Sequence, residues 1–121
     1  MAGAYNNRAV AYKEKKRLDL ALSDLNKAIE LEPENADAYN NRASVYGMKG
    51  MLDLALSDCN KAIELQPVFA EAYNNRGIIY KNKKLYDKAL ADYNKAIALK
   101  ADFAIAYHNR DALYAMTGKN K

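Results

Sequence analysis

Tyr5-Asn6-Asn7-Arg8 returns as Tyr39-Asn40-Asn41-Arg42, as Tyr73-Asn74-Asn75-Arg76 and, with one change, as Tyr107-His108-Asn109-Arg110, each copy 34 residues after the last. A fixed period of this size implies a stack of like units, each too small to bury an apolar face alone. Three full units run 2–35, 36–69 and 70–103, and a half unit follows at 104–121. Each full unit carries two amphipathic helix patterns. In unit three, Ala72, Tyr73, Arg76, Gly77 and Tyr80 recur at spacings of three and four, and Leu85, Ala89, Tyr93, Ala96 and Ile97 do the same further on. No sustained alternation suggests a strand. The expected fold is all-α: seven helices in antiparallel pairs, A and B in each unit, ending in a capping helix over 104–118 within a single domain, 1–121.

The punctuation agrees. Pro33 and Pro67 follow the apolar end of a second helix, where proline stops it. Asn35 offers an N-cap to the helix that follows, and Asp102 is expected to cap the last helix. Between the helices of a unit stand Lys16, Gly50 and Lys84 at equivalent places. Glycine suits a left-handed helix end, and the lysines there must strain or turn differently.

Half of the 121 residues are hydrophobic and 28% are charged, as in a folded chain. No apolar run approaches the ~20 residues of a membrane span, and no signal peptide is visible. A cytoplasmic location is expected, with no membrane partner. The immediate entry into the first unit suggests a trimmed chain. The formal net charge is +4, gathered toward the C-terminus, but both signs interleave there. That reads as a solvated surface, and nucleic acid is not expected. Cys59 is the one cysteine and holds the place of Leu25 and Tyr93, so it reads as a small buried apolar residue. There is no Ser/His/Asp arrangement, HExxH, phosphate loop or paired cysteine. No catalytic residue, metal site or cofactor is expected, and the chain reads as a non-enzyme.

The unit resembles the tetratricopeptide repeat over essentially the whole chain. Unit three supplies Tyr73, Gly77, Tyr80, Ala89, Tyr93 and Ala96 of that family's pattern. Unit two supplies Tyr39, Ala43, Tyr46, Gly50, Ala55, Ala62 and Pro67, and unit one Tyr5, Ala9, Tyr12, Ala21, Ala28 and Pro33. The resemblance implies a right-handed superhelix, a solenoid whose A helices line a concave groove, and a scaffold that binds a protein or peptide there. It places position 6 of the repeat in the groove: Asn7, Asn41, Asn75 and Asn109. In the family's glycosyltransferase members an asparagine ladder at that position holds a peptide backbone. A carboxamide donates and accepts at once, so it can pair with an extended chain whatever its side chains. The neighbouring Asn6, Asn40 and Asn74, with His108, are expected to face the groove too.

One groove type of the family is argued against. The carboxylate clamp for acidic chaperone tails needs Lys and Asn where Asn6 and Val10 stand, Asn at Asn41, and Lys and Arg where Glu71 and Asn75 stand. Only Asn41 fits, and the frame one repeat on (Asn40, Ser44, Asn75, Ile105, Asn109) is no better. Arg8, Arg42, Arg76 and Arg110 recur with Asp24, Asp58 and Asp92, which implies bidentate pairs between helices A and B. Asp111 replaces a small residue, so the last helix should have a wet outer face. With Tyr107 and Tyr114 on that face, copies are expected to associate end to end as a homo-oligomer. The alternative function is an architectural or engineered, consensus-like array without a specific ligand. An RNA reader of the pentatricopeptide kind would have a period of 35.

Overall fold

A computed structural model describes residues 1–118. Those residues form seven α-helices and no strand: α1 (Ala2–Glu14), α2 (Leu18–Leu31), α3 (Ala36–Met48), α4 (Leu52–Leu65), α5 (Ala70–Asn82), α6 (Tyr86–Leu99) and α7 (Ala104–Thr117). The chain is an all-α solenoid of helix pairs, with short loops that leave each B helix antiparallel to its A helix. No helix is long and apolar enough to cross a membrane.

Residues 1–67 form one compact unit and residues from 68 onward a second. In the first, α2 packs between α1 and α3, and α4 packs on α3. The B helices bury a single stripe. In α2 it is Ala21, Asp24, Leu25 and Ala28, at the three- and four-residue spacing of one helix face. The A helix α3 instead buries Ala36, Ala38, Asn40, Ala43 and Val45, which point in several directions. Only a helix packed on more than one side needs that pattern. Ala9, Ala21, Leu25 and Val45 make one core cluster, closed by Tyr12, Leu18 and Leu22. Ala2, Ala28 and Ala38 make another, with Tyr5 and Ile29 against it.

In the second unit α6 packs between α5 and α7. Its core joins Ala89, Tyr93 and Leu113, with Ile78, Tyr80, Tyr86 and Leu90 around them. Gly77 is needed here for close approach. A Cβ on it would stand 2.6 and 2.8 Å from two carbons of the Tyr93 ring. Unit one holds Ala9 and Leu25 at the same two places, so the small residue shrinks where its partner grows.

The loops inside each pair end the A helix alike. Lys16, Gly50 and Lys84 have φ of 63°, 77° and 66°, all left-handed. The next backbone N–H closes on a carbonyl five residues back: Arg17 on Tyr12 at 2.8 Å, Met51 on Tyr46 at 2.9 Å, Leu85 on Tyr80 at 2.9 Å. This is the Schellman closure. The lysines adopt the strained geometry that the glycine adopts freely. At the helix starts, the Asn35 carboxamide accepts from the Ala38 N–H at 3.2 Å, the cap the sequence implies. Asp102 does not cap α7. The N-cap is Phe103, which aligns with Asn35 and Phe69, and its side chain offers no acceptor.

Candidate functional site

Successive residues of an α-helix point about 100° apart, so the four side chains of the recurring tetrapeptide must take four directions. Tyr and Arg turn toward helix B. The arginine is the hub. Arg8 Nε and Nη2 donate to Asp24 at 2.8 and 2.7 Å, Arg42 to Asp58 at 2.7 and 2.9 Å, and Arg76 to Asp92 at 2.8 and 2.8 Å. The three aspartates are 4–5% exposed. Each guanidinium also lies between the tyrosines three residues before and four after it, as Arg42 does at 5.7 Å from both Tyr39 and Tyr46. The Asp58 hydrogen bond, opposed by burial and aided by the carboxylate charge, raises Arg42 above its ordinary value, and Asp92 does the same for Arg76. These side chains hold helix A to helix B, as the recurring Arg and Asp imply.

A third arm of the hub was not foreseen. Arg42 Nη1 donates to the Asn26 carbonyl of α2 at 2.9 Å, and Arg110 Nη1 to that of Asn94 in α6 at 3.2 Å. The arginine thus ties its own helix to helix B of the preceding repeat as well. Its sequence signal is the recurrence of Asn26, Asn60 and Asn94 at one period, a weak one because asparagine is common on exposed helix faces.

The two asparagines of the tetrapeptide meet across successive A helices. Asn41 Nδ2 donates to Asn6 Oδ1 at 2.8 Å, joining α3 to α1. Asn109 Nδ2 donates to Asn74 Oδ1 at 3.1 Å, joining α7 to α5. Position 6 of one repeat therefore grips position 5 of the repeat before it. Asn40 and Asn74 are 8% and 4% exposed, so their carboxamides are largely buried. The cause at Asn74 is packing between successive A helices, where an unpaired amide would be costly. Asn41 and Asn109 are half-buried, Asn75 likewise, and Asn7 is exposed. His108 is exposed.

Two further polar contacts join neighbouring elements. Lys13 Nζ reaches Ser44 Oγ at 3.4 Å. Lys100 Nζ donates to Glu71 at 3.0 Å. Burial would lift the Glu71 carboxyl, but the Lys100 hydrogen bond, its own backbone N–H and the Lys100 charge together hold it below the usual range. A carboxylate thus occupies the place where a chaperone-tail clamp needs a cation. Cys59 is fully buried in α4. Among the described residues no group of three or more His, Cys, Asp or Glu side chains could hold a metal.

Comparison with known proteins follows the same lines. The family description "Tetratricopeptide repeat" matches residues 36–69 and 70–103, and "TPR repeat" matches residues 9–50. No curated protein matches the chain. Among solved structures, the first TPR domain of human RPAP3 superposes with a TM-score of 0.91 at 26% identity, over 98% of this chain and 94% of that one. The Arabidopsis OM64 TPR domain gives 0.86 at 26%, over 93% of each chain. The first TPR of Spaghetti (RPAP3), solved with the HSP90 peptide SRMEEVD, gives 0.88 at 24%, over 97% and 93%, and at that identity speaks to the fold alone. The 34-residue period, the helix pairs closed by small residues and these matches lead to one conclusion: the chain belongs to the tetratricopeptide-repeat family.

Proposed function

We propose that this chain is a protein-interaction scaffold that holds an extended segment of a partner against the carboxamides of its A helices. The observation that carries the reading is the locked amide pair. Asn41 spends one N–H on Asn6 and Asn109 one on Asn74. Each donor residue keeps its second N–H and its own carbonyl, a donor and an acceptor fixed side by side. A peptide backbone offers the complementary pair at every residue. Because the side chains are already ordered, binding costs less rotamer entropy than it would at a free asparagine. Membership of the tetratricopeptide-repeat family supports a peptide ligand, while the structure solved with an HSP90 peptide shares the fold alone. The ligand here is of another kind: Glu71, paired to Lys100, disfavours an acidic tail.

The test starts from a peptide array, which supplies a ligand, and measures its affinity by fluorescence anisotropy. Asn41→Ala and Asn109→Ala should each weaken binding about tenfold, the equivalent of one or two hydrogen bonds. Substituting the ligand's side chains at the contact should matter less than N-methylating its backbone. Affinity unchanged in both variants would sink the reading. The purely architectural alternative draws on the same pairs, since they link successive A helices without any ligand; it predicts that no array peptide binds above background.

A further inference from the structure

The amide link between α1 and α3 is flanked by two charges of opposite sign. Asp37, Asn41 and Ser44 follow one another along α3 at the spacings that share a helix face. Asn41 holds the middle of that row, with its Nδ2 on Asn6 Oδ1. Lys13 of α1 reaches the far end, where its Nζ lies 3.4 Å from Ser44 Oγ. From the helical rise, Asp37 stands about 6 Å before Asn41 along the axis, and Ser44 about 4.5 Å after it. A carboxylate and an ammonium group thus stand at similar distances on either side of one carboxamide.

The fold neutralises neither charge. Asp37 is exposed and makes no hydrogen bond or ion pair among the described residues. Lys13 is half-buried and rests on a neutral hydroxyl. The helix dipole favours an acid where α3 starts and a cation where α1 ends. It favours them on every face of those helices, however, and does not align them with the amides. The second compact unit differs. It keeps a half-buried cation at Lys81, but its acid is already engaged, since Lys100 Nζ donates to Glu71 at 3.0 Å.

An extended chain matches this two-sided arrangement. The N–H and C=O groups of a strand lie at right angles to its side chains, which alternate between two sides. A strand that crosses α1 and α3 with one such edge on Asn6 and Asn41 points its side chains toward the helix starts and the helix ends in turn. Given the backbone-binding reading of the amides, we propose that residues 1–67 select an extended partner segment of alternating charge, with an acid against Lys13 and a base against Asp37. Residues on opposite sides of a strand are an odd number of positions apart. The acid and the base therefore stand one or three positions apart in the partner, and two like charges at that spacing are rejected at one of the two walls.

The test is a bead library of nonapeptides blocked at both ends, each position drawn from Glu, Arg, Ser and Leu, sorted for binding to the labelled full chain. Peptides with Glu and Arg at odd spacing should be enriched at least about threefold over those with the same pair at even spacing. Lys13→Glu should move the preference to two Arg at odd spacing, and Asp37→Lys to two Glu. Binding of the best peptide should weaken at high salt. Enrichment that ignores charge or spacing, or variants that keep the parent preference, overturn the proposal. If backbone N-methylation still abolishes binding in that case, the amide scaffold stands without it. A library in which nothing binds above background overturns both. Far-UV circular dichroism verifies the helices of each variant. Should Lys13→Glu disturb them, Lys13→Gln takes its place, with loss of the preference for Glu required.

Discussion

Arg42 and Asp58 meet fork to fork: Nε and Nη2 of the arginine donate to the two carboxylate oxygens at 2.7 and 2.9 Å, and the aspartate is 5% exposed. The pair recurs once per repeat, and it makes each A–B contact geometrically specific as well as apolar.

Removing one partner should hurt more than removing both. Asp58→Ala leaves a half-buried guanidinium facing a hole and should destabilise the chain by about 2 kcal/mol, lowering Tm by roughly 8 °C. Arg42→Leu with Asp58→Tyr fills the seam with apolar volume and should stay within about 1 kcal/mol of the parent. Thermal melts of the three proteins decide it, and an unchanged Tm for Asp58→Ala sinks the account.

Gly77 and Tyr93 are matched in size. Gly77→Ala drives a methyl into the Tyr93 ring and should cost about 1–3 kcal/mol by urea unfolding. Adding Tyr93→Leu recreates the alanine–leucine pairing of unit one and should recover most of the loss. Burial, with the nearby Asp92 charge, pushes the Tyr93 phenol up to about 12. A spectrophotometric titration should therefore show one tyrosine ionising later than the rest.

The left-handed lysines are places where stability can rise. Lys16→Gly and Lys84→Gly should each stabilise by about 0.5–1 kcal/mol, since relief of the strain at φ of 63° and 66° exceeds the entropy glycine adds to the unfolded chain. Gly50→Lys should do the reverse. Melting temperatures that move in the opposite order would refute the argument.

Asn35 and Asp102 look alike in sequence and differ in role. Asn35→Ala should cost about 1 kcal/mol, because the Ala38 N–H loses its acceptor. Asp102→Ala should change stability by no more than about 0.5 kcal/mol, as Phe103 holds the N-cap position.

The helix pairs and the arginine–aspartate pairing were legible because repetition writes each of them three times, and the proline breaks because it writes them twice. Recurring Arg8 and Asp24 share a unit, so one period shows both partners. The link from Asn41 to Asn6 was not legible in the same way. It joins different positions of different repeats, and identical carboxamides give no hint of which one pairs with which. Asp102 misled because an acid before a helix resembles a cap, while register with Asn35 selects Phe103.

The amide link between successive A helices has a direction. In both links, Asn41 to Asn6 and Asn109 to Asn74, the donor belongs to the later repeat and the acceptor to the earlier. Duplication or loss of one 34-residue block would bring together a donor and an acceptor that already fit, whichever full block is gained or lost. Length can then drift by whole units with no new junction to invent. His108 is the exception: it stands in the acceptor place, and a block copied onto that end would meet an imidazole instead of a carbonyl.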